Sequence, residues 1–268
     1  MEKLEKIKSL SIIDTDVEGF VKEDPYVQYL FSELARLGLD SCFHYNFETG
    51  LYELSQHVLE KNYKLNERIN LEDIEELLIV VDMVNGFAKK GALADPYIQH
   101  IIPEILRLIC IFQSEQNKAV AFIRDAHSQD CAEFKKFPVH CVDGTWESEI
   151  IDEFQPYVAN SLVFKKNSRS FMFAPGFIPA LGKMPNLKKI VSCGCCTDLC
   201  DIDGNVPMIN YFDEINRDVE LIVPKDAVET YDGPGHNREE YNEMAFKFMA
   251  QEGIKLVRTY NGGKKNGK

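Results

Sequence analysis

Four short apolar runs of this chain end in residues able to do chemistry. Leu77–Val81 is closed by Asp82, and Ala119–Ile123 by Arg124, Asp125, Ala126 and His127. Leu162–Phe164 runs into Lys165 and Lys166, and Lys189–Cys193 into Gly194, Cys195, Cys196, Thr197, Asp198, Leu199 and Cys200. As neighbouring parallel strands, these runs would bring a carboxylate, a carboxylate with an imidazole, an ammonium and a thiol to one edge. That carboxyl edge is where open parallel sheets bind ligands. The thiol sets the chemistry. Free cysteine titrates at about pH 8.5, and only its thiolate attacks. Cys200 follows a glycine-containing turn from strand to helix, so it falls near a helix N-terminus, where the peptide dipole favours a thiolate. Such a turn also directs backbone N–H groups at one point, the geometry an oxyanion requires. Lys166 is placed to stabilise the thiolate, and Asp82 to accept the thiol proton and pass it to a leaving amine. The competing reading of a cysteine in a reducing compartment is a small buried hydrophobe. That reading is preferred for Cys42, Cys110 and Cys193.

A second group lies beside the first. Asp125 and His127, two apart in an extended segment, point to the same side and can share one ion. His140 stands in FPVHC, where Pro138 stiffens the approach of a third ligand. One carboxylate and two imidazoles suit Zn²⁺, Fe²⁺ or Mn²⁺ and leave open positions for water or a substrate atom. Glu133, seven residues before His140, is either a fourth ligand or a partner of the ligands. His44, His57, His100 and His236 have no such company and read as surface or core histidines.

The elements that must position these groups follow from periodicity. Glu220–Val223 and Ile254–Val257 bring the apolar runs to six. Each is apolar almost continuously, the pattern of strands buried on both faces of a parallel sheet. Pro96–Gln116 carries Ile98, Ile101, Ile102, Ile105, Leu108 and Ile109 at helical spacing, a single buried stripe. Asn237–Glu252 reads as another helix, with Gly253 as its stop. Strands alternating with helices imply right-handed crossovers. The expected fold is α/β, a three-layer α/β/α sandwich with a mainly parallel six-stranded sheet. Residues 1–73 read as a separate N-terminal helical extension. One helix is expected after Pro25 (Tyr26, Leu30, Leu34, Leu37), ended by Gly38, and another on Leu51, Leu54, Val58 and Leu65. This segment carries no chemical motif and is expected to pack on the core or on a subunit partner. Residues 74–260 form the expected catalytic domain, and 261–268 a flexible Gly/Lys-rich tail.

Composition bounds the partners. The chain has 268 residues, 45% hydrophobic and 27% charged, a globular balance. Thirty Lys plus Arg against 43 Asp plus Glu leave a net charge of −13, which argues against nucleic acid and anionic membranes. The longest apolar runs are of strand length, well short of a membrane span. MEKLEKIKSL has no apolar secretion core, so the eight cysteines are expected as reduced thiols in a cytoplasmic protein.

The set VVDMVNGF, RDAH, FPVHCVDGTWE, KKNS and GCCTDLC, in this order, resembles the isochorismatase-like cysteine hydrolases, and among them the nicotinamidases most. The resemblance implies a catalytic triad of Asp82, Lys166 (with Lys165 as the alternative) and Cys200. It implies a cis peptide between Cys195 and Cys196, and an oxyanion hole from the N–H groups of Cys196 and Cys200. It implies a divalent metal, zinc foremost and iron or manganese otherwise, on Asp125, His127 and His140. That metal would meet a pyridine nitrogen while Phe87 and Phe137 hold the ring. The implied activity is hydrolysis of nicotinamide or a close heteroaromatic amide to the acid and ammonia, by a homo-oligomer acting on a small-molecule amide. The alternatives are an amidase for another small amide or a ureido or carbamoyl substrate, and a weakened relative acting as a binding or regulatory protein. The chain departs from the family pattern in two places. Gly86 stands where an aspartate is usual, and the segment after Cys200 reads CDIDGNVPMINYF, with Asp201, Gly204 and Pro207 where a regular apolar helix is expected. Pro207 removes a backbone donor, so either the helix starts later or its first turns are distorted.

Overall fold

The computed structural model describes residues 69–262 and, before them, the backbone of three short strands. These are β1 (Phe20–Val21), β2 (Phe43–Asn46) and β3 (Leu51–Leu54), an antiparallel sheet of order β1-β3-β2 within a compact unit, Met1–Glu67. The sequence reading expected a helix from Leu51 onward; Leu51–Leu54 is instead a strand paired with Phe43–Asn46. FHYN and LYEL are rich in aromatic and apolar residues and close in sequence. A neighbouring strand is therefore available to satisfy the backbone before a helix can propagate. The other expected helix positions, Tyr26–Leu37 and Val58–Leu65, and the tail beyond residue 262 lie outside the described residues.

The second unit begins at Arg68. Its strands are β4 (Glu76–Val81), β5 (Lys118–Asp125), β6 (Leu162–Lys166), β7 (Lys189–Cys195), β8 (Glu220–Pro224), β9 (Val228–Glu229) and β10 (Lys255–Val257). They form one sheet of order β10-β8-β7-β4-β5-β6, all parallel, with β9 added alongside β7. Each of the six apolar runs seeds one of the six main strands. Successive side chains of a strand face opposite ways. Leu77, Ile79 and Val81 accordingly enter one core and Leu78 and Val80 the other. Every one of these five is at most 1% exposed, worth about 1.5–3 kcal/mol each on burial.

Helices cover both faces. α1 (Asn85–Ala88), α2 (Ile102–Gln113) and α3 (Gln155–Val158) pack on the Leu78 side. α4 (Phe177–Gly182), α5 (Ile202–Glu214) and α6 (Arg238–Gln251) pack on the Leu77 side. The helix expected over Pro96–Gln116 opens as a narrow 3₁₀ stretch, Pro96–Ile101, before α2. Pro103 in the first turn of α2 has no N–H to bond back to Gln99, which separates the two pieces. α6 is capped by Asn237, whose side chain accepts from Glu240 N at 3.0 Å, and it is followed by Gly253 at φ +83°. Sheet order matters for the site: β4 lies between β7 and β5, with β6 beyond β5. Pairing of Val81 with Ile123 and Gly194, and of Asp125 with Lys166, brings the four strand ends to one edge.

Candidate active site

Asp82 is the first residue past β4 and sits at φ +50°, a backbone region that costs a non-glycine residue on the order of 1–3 kcal/mol. Its N–H donates to Ile123 O at 2.9 Å, which holds it there. Lys166 closes β6 fully buried. Its Nζ lies 2.8 Å from Asp82 Oδ2 and 3.5 Å from Cys200 Sγ, and it donates to Asp125 Oδ1. Lys165 turns outward, 53% exposed, to Asp143 at 2.9 Å. Strand alternation thus brings Lys166, and not Lys165, to the other groups. The polar atoms of Asp82, Asp125 and Cys200 all fall within 4.8 Å of one another.

Burial and the neighbouring charge of Asp125 push the Asp82 carboxyl up to about 7, against the pull of Lys166. Burial also pushes the Cys200 thiol well up, with Lys166 opposing. Lys166 stays charged: burial works against it, but Asp125 and Asp82 more than offset that. The resting thiol therefore keeps its proton, with the Asp82 carboxyl and the Lys166 ammonium beside it.

The turn leading to Cys200 departs from regular backbone. Gly194 has φ +124°, and a Cβ there would lie 2.0 Å from Val81 O, so only glycine lets β7 run this close to β4. The Cys195–Cys196 peptide is cis. Cys196 O then accepts from Leu199 N at 3.0 Å and from Asp201 N at 3.2 Å, closing a wide π-type turn over Thr197–Asp201. α5 begins only at Ile202, with Pro207 inside it, directly after this π turn, so the first turn of the helical segment is distorted and α geometry starts late. Gly204 has its own reason: a Cβ would meet the Phe171 ring at 2.0–2.5 Å. At Gly86 a Cβ would come within 2.6 Å of Cys141 Sγ, so no larger residue fits without rearrangement. Asp201, Asn205 and Ser192 are fully buried and their side-chain polar atoms lack partners. Burial, reinforced by Asp82, pushes the Asp201 carboxyl up to about 8.

Beside the thiol, Asp125, His127 and His140 converge, all buried, with one ligand atom from each within 4.8 Å of the others. The two Nε2 atoms are 3.2 Å apart, and Asp125 Oδ2 lies 3.4 Å from His127 Nε2 and 3.8 Å from His140 Nε2. Nitrogens on a tetrahedral zinc at the usual bond lengths stand about 3.3 Å apart. His140 Nδ1 donates to Pro138 O at 2.8 Å, leaving Nε2 with a lone pair turned inward. His127 Nδ1 faces Asn167 Oδ1 at 3.4 Å, and that oxygen is oriented by the Ser128 N–H at 2.9 Å. Converging lone pairs beside a carboxylate fit a divalent cation. Burial resists the charge of Asp125, but Lys166 and His127 outweigh it and hold the carboxyl below its ordinary range. Burial likewise works against the charge of His127, and Asp125 overcomes it and raises the imidazole. Glu133 stands outside this group; its charge acts on His127 from nearby.

The family model for the isochorismatase domain matches residues 76–260. The chain belongs to the isochorismatase family. Isochorismatase-like hydrolases of known structure share its fold. N-carbamoylsarcosine amidase from Thermoplasma acidophilum is 24% identical with a TM-score of 0.58, over 72% of this chain and 100% of that one. Nicotinamidase from Bacillus subtilis is 24% identical with a TM-score of 0.58, over 69% and 99%. Pyrazinamidase of Pyrococcus horikoshii, solved in complex with zinc, is 26% identical with a TM-score of 0.53, over 69% and 99%. No curated protein matches the chain by sequence.

Within this isochorismatase-like hydrolase, Phe87 is buried with its ring 5.6 Å from that of His140, while Phe137 is half-buried at the end of its segment. The ring set against both imidazoles is Phe134, 5.4 Å from His127 and 5.6 Å from His140. Sequence reasoning missed it; the only signal was a second phenylalanine in AEFKKF. Cys193 is buried as expected, but Cys110 is exposed, with its thiol 3.5 Å from Tyr157 Oη. A helix residue placed by the 3.6 period can still lie on the stripe's margin, as Cys110 does next to buried Ile109. His100 is exposed, while His236 is buried in a cluster of its own. All seven described cysteines are free, and among the described residues no helix is long and apolar enough to cross a membrane.

Proposed function

We propose that the protein is a cysteine amidohydrolase that converts nicotinamide, or a close heteroaromatic carboxamide, to the acid and ammonia. The observation that carries this reading is the double role of Asp125. Its Oδ1 accepts from Lys166 next to the Cys200 thiol, while Oδ2 faces the Nε2 atoms of His127 and His140. A nucleophile and a nitrogen-binding cation site are thereby held on one carboxylate, the arrangement needed for a small amide carrying a ring nitrogen.

In this reading Asp82 takes the proton of Cys200, and the sulfur forms a bond to the carboxamide carbon. The negative oxygen is held by the N–H groups of Cys196 and Cys200. The carbon–nitrogen bond breaks as Asp82 returns its proton to the leaving nitrogen, which departs as ammonia. Water then adds to the thioester, giving a proton to Asp82; the sulfur leaves and recovers that proton. Lys166 stays charged throughout and steadies the thiolate. A divalent cation on Asp125, His127 and His140, zinc by preference, would supply a Lewis-acidic position for the ring nitrogen. Phe87 and Phe134 would offer apolar walls beside that position, with Phe137 at its margin.

The test is ammonia release from nicotinamide by metal-replete protein, with Cys200→Ala alongside. The expected result is release that falls by about 10³-fold or more in the variant with metal content unchanged. Equal release by the variant would overturn the mechanism. Failure on nicotinamide with release from a ureido or carbamoyl substrate would favour an amidase of the second kind. Failure across a panel of amides would favour a binding or regulatory protein.

A further inference from the structure

The turn that carries Cys200 is π-helical, bonded i to i+5 rather than i to i+4. It spans Thr197–Asp201 and leads into α5 at Ile202. Side-chain ties from outside the turn add to those backbone bonds. Asp198, two residues before Cys200, provides them with a side chain only 9% exposed. One of its oxygens accepts from the Thr230 hydroxyl, and the other lies 2.9 Å from His236 Nε2. His236 is itself fixed on every side. Nδ1 is 3.0 Å from Tyr231 O, and the ring is sandwiched between Tyr231 (centroids 3.8 Å apart, planes at 11°) and Tyr241 (3.8 Å, 30°). Its backbone N–H donates to Gly233 O at 2.9 Å, and Gly233 N–H returns a bond to His236 O at 3.0 Å. Both ring nitrogens face oxygen atoms, and an aromatic face lies on either side of the ring. A buried, charge-assisted contact of this geometry is among the stronger side-chain bonds.

We propose that His236 is a positioning residue: by holding Asp198 it fixes the Thr197–Asp201 turn, and with it the Cys200 thiol and the N–H groups of Cys196 and Cys200. The inference rests on the reading of Cys200 as nucleophile and adds the residue that keeps it in register. A displacement of about 1 Å at a reacting atom can cost on the order of 100-fold in rate.

The test reads thiol reactivity, which does not depend on knowing the substrate. Full-length protein is alkylated with iodoacetamide at neutral pH, and labelling of each cysteine is timed by peptide mass spectrometry. His236→Phe keeps a ring between the two tyrosines and removes both hydrogen bonds. It is expected to slow Cys200 labelling about tenfold or more while leaving the near-ultraviolet circular dichroism unchanged. His236→Gln, which retains an N–H within reach of Asp198, is expected to recover part of the rate. Where an amide substrate is turned over, kcat is expected to fall with little change in KM. Unchanged Cys200 labelling in folded His236→Phe overturns the proposal. If that variant does not fold, Asp198→Asn decides by the same reading, because it keeps the shape and removes the charge. If Cys200 of the unmodified protein labels no faster than its other thiols, the nucleophile reading itself fails and takes this one with it; the parent protein alone reveals that.

Discussion

Two buried aspartate–histidine assemblies flank Cys200, one touching it through Lys166 and one through the Thr197–Asp201 turn, and they differ in where their lone pairs point. At Asp125, the Nε2 atoms stand 3.4 and 3.8 Å from the carboxylate oxygen and 3.2 Å from each other. The carboxylate distances are too long for good hydrogen bonds, and they leave the space an ion occupies between its ligands. At Asp198, His236 Nε2 sits 2.9 Å from the carboxylate, a closed bond with no space left. Both assemblies use an Nδ1 directed at a backbone carbonyl, Pro138 O in one and Tyr231 O in the other. The same two residue types therefore make a receptacle or a clasp, and a separation of less than an ångström decides which.

The sharpest way to break this comparison is to remove one imidazole from each side. His127→Ala is expected to reduce bound zinc, measured by elemental analysis, from near-stoichiometric to trace, and to cut turnover of a pyridine carboxamide about 100-fold or more. His236→Ala is expected to keep its metal. Retention by the first or loss by the second would show that the two assemblies are not different in kind.

A third buried carboxylate sharpens the contrast, because Asp201 has no ion-pair partner at either oxygen and burial pushes it up to about 8. An unfolded aspartate titrates near 4, so between about pH 4 and 8 the folded chain binds the extra proton. Stability from this group is therefore full below about pH 4 and falls as pH rises towards 8. Urea unfolding at pH 5.5 and 7.5 is expected to show Asp201→Asn removing about 1–3 kcal/mol of that fall. An identical pH dependence in variant and parent would mean that a partner of Asp201 compensates it.

Smaller effects follow further from the site. Asn167 orients His127 through Oδ1, and Asn167→Ala is expected to weaken zinc affinity about tenfold in a chelator competition. Lys165, exposed and paired with Asp143, is the control for Lys166. Lys165→Ala is expected to change stability by less than about 0.5 kcal/mol and to leave turnover intact. A large loss of turnover would reopen which of the two lysines serves the thiol.

Much of the architecture was legible in the linear chain. The inner strands β4, β5, β7 and β8 are buried on both faces and so apolar almost throughout, which made their runs visible without knowing their neighbours. The edge strands β6 and β10 are partly exposed, with Val163 at the surface. The polar ends of the runs marked the sheet edge for the same reason. Asn237 and Gly253 announced the limits of α6, because capping is local. β9 was invisible, since two residues carry no period. The strand at Leu51–Leu54 was misread as helix because its partner, not its own spacing, decided its state.

The site divides along the same line. Residue type and spacing pointed to a thiol, two carboxylates, an ammonium and the His127 imidazole at one edge, because strand period and parallel topology leave few other arrangements; His140 came from its motif, outside any strand. Only the tertiary structure decided which of two adjacent lysines is buried and that Phe134 faces the imidazoles. It alone explains why Gly86 and Gly204 have no room for a side chain. It also ties His236 to Asp198, 38 residues away, a contact with no periodic trace. Local periodicity reports which face is buried, whereas a hydrogen bond between distant residues depends on the packing of whole elements, and that exists only once the chain has folded.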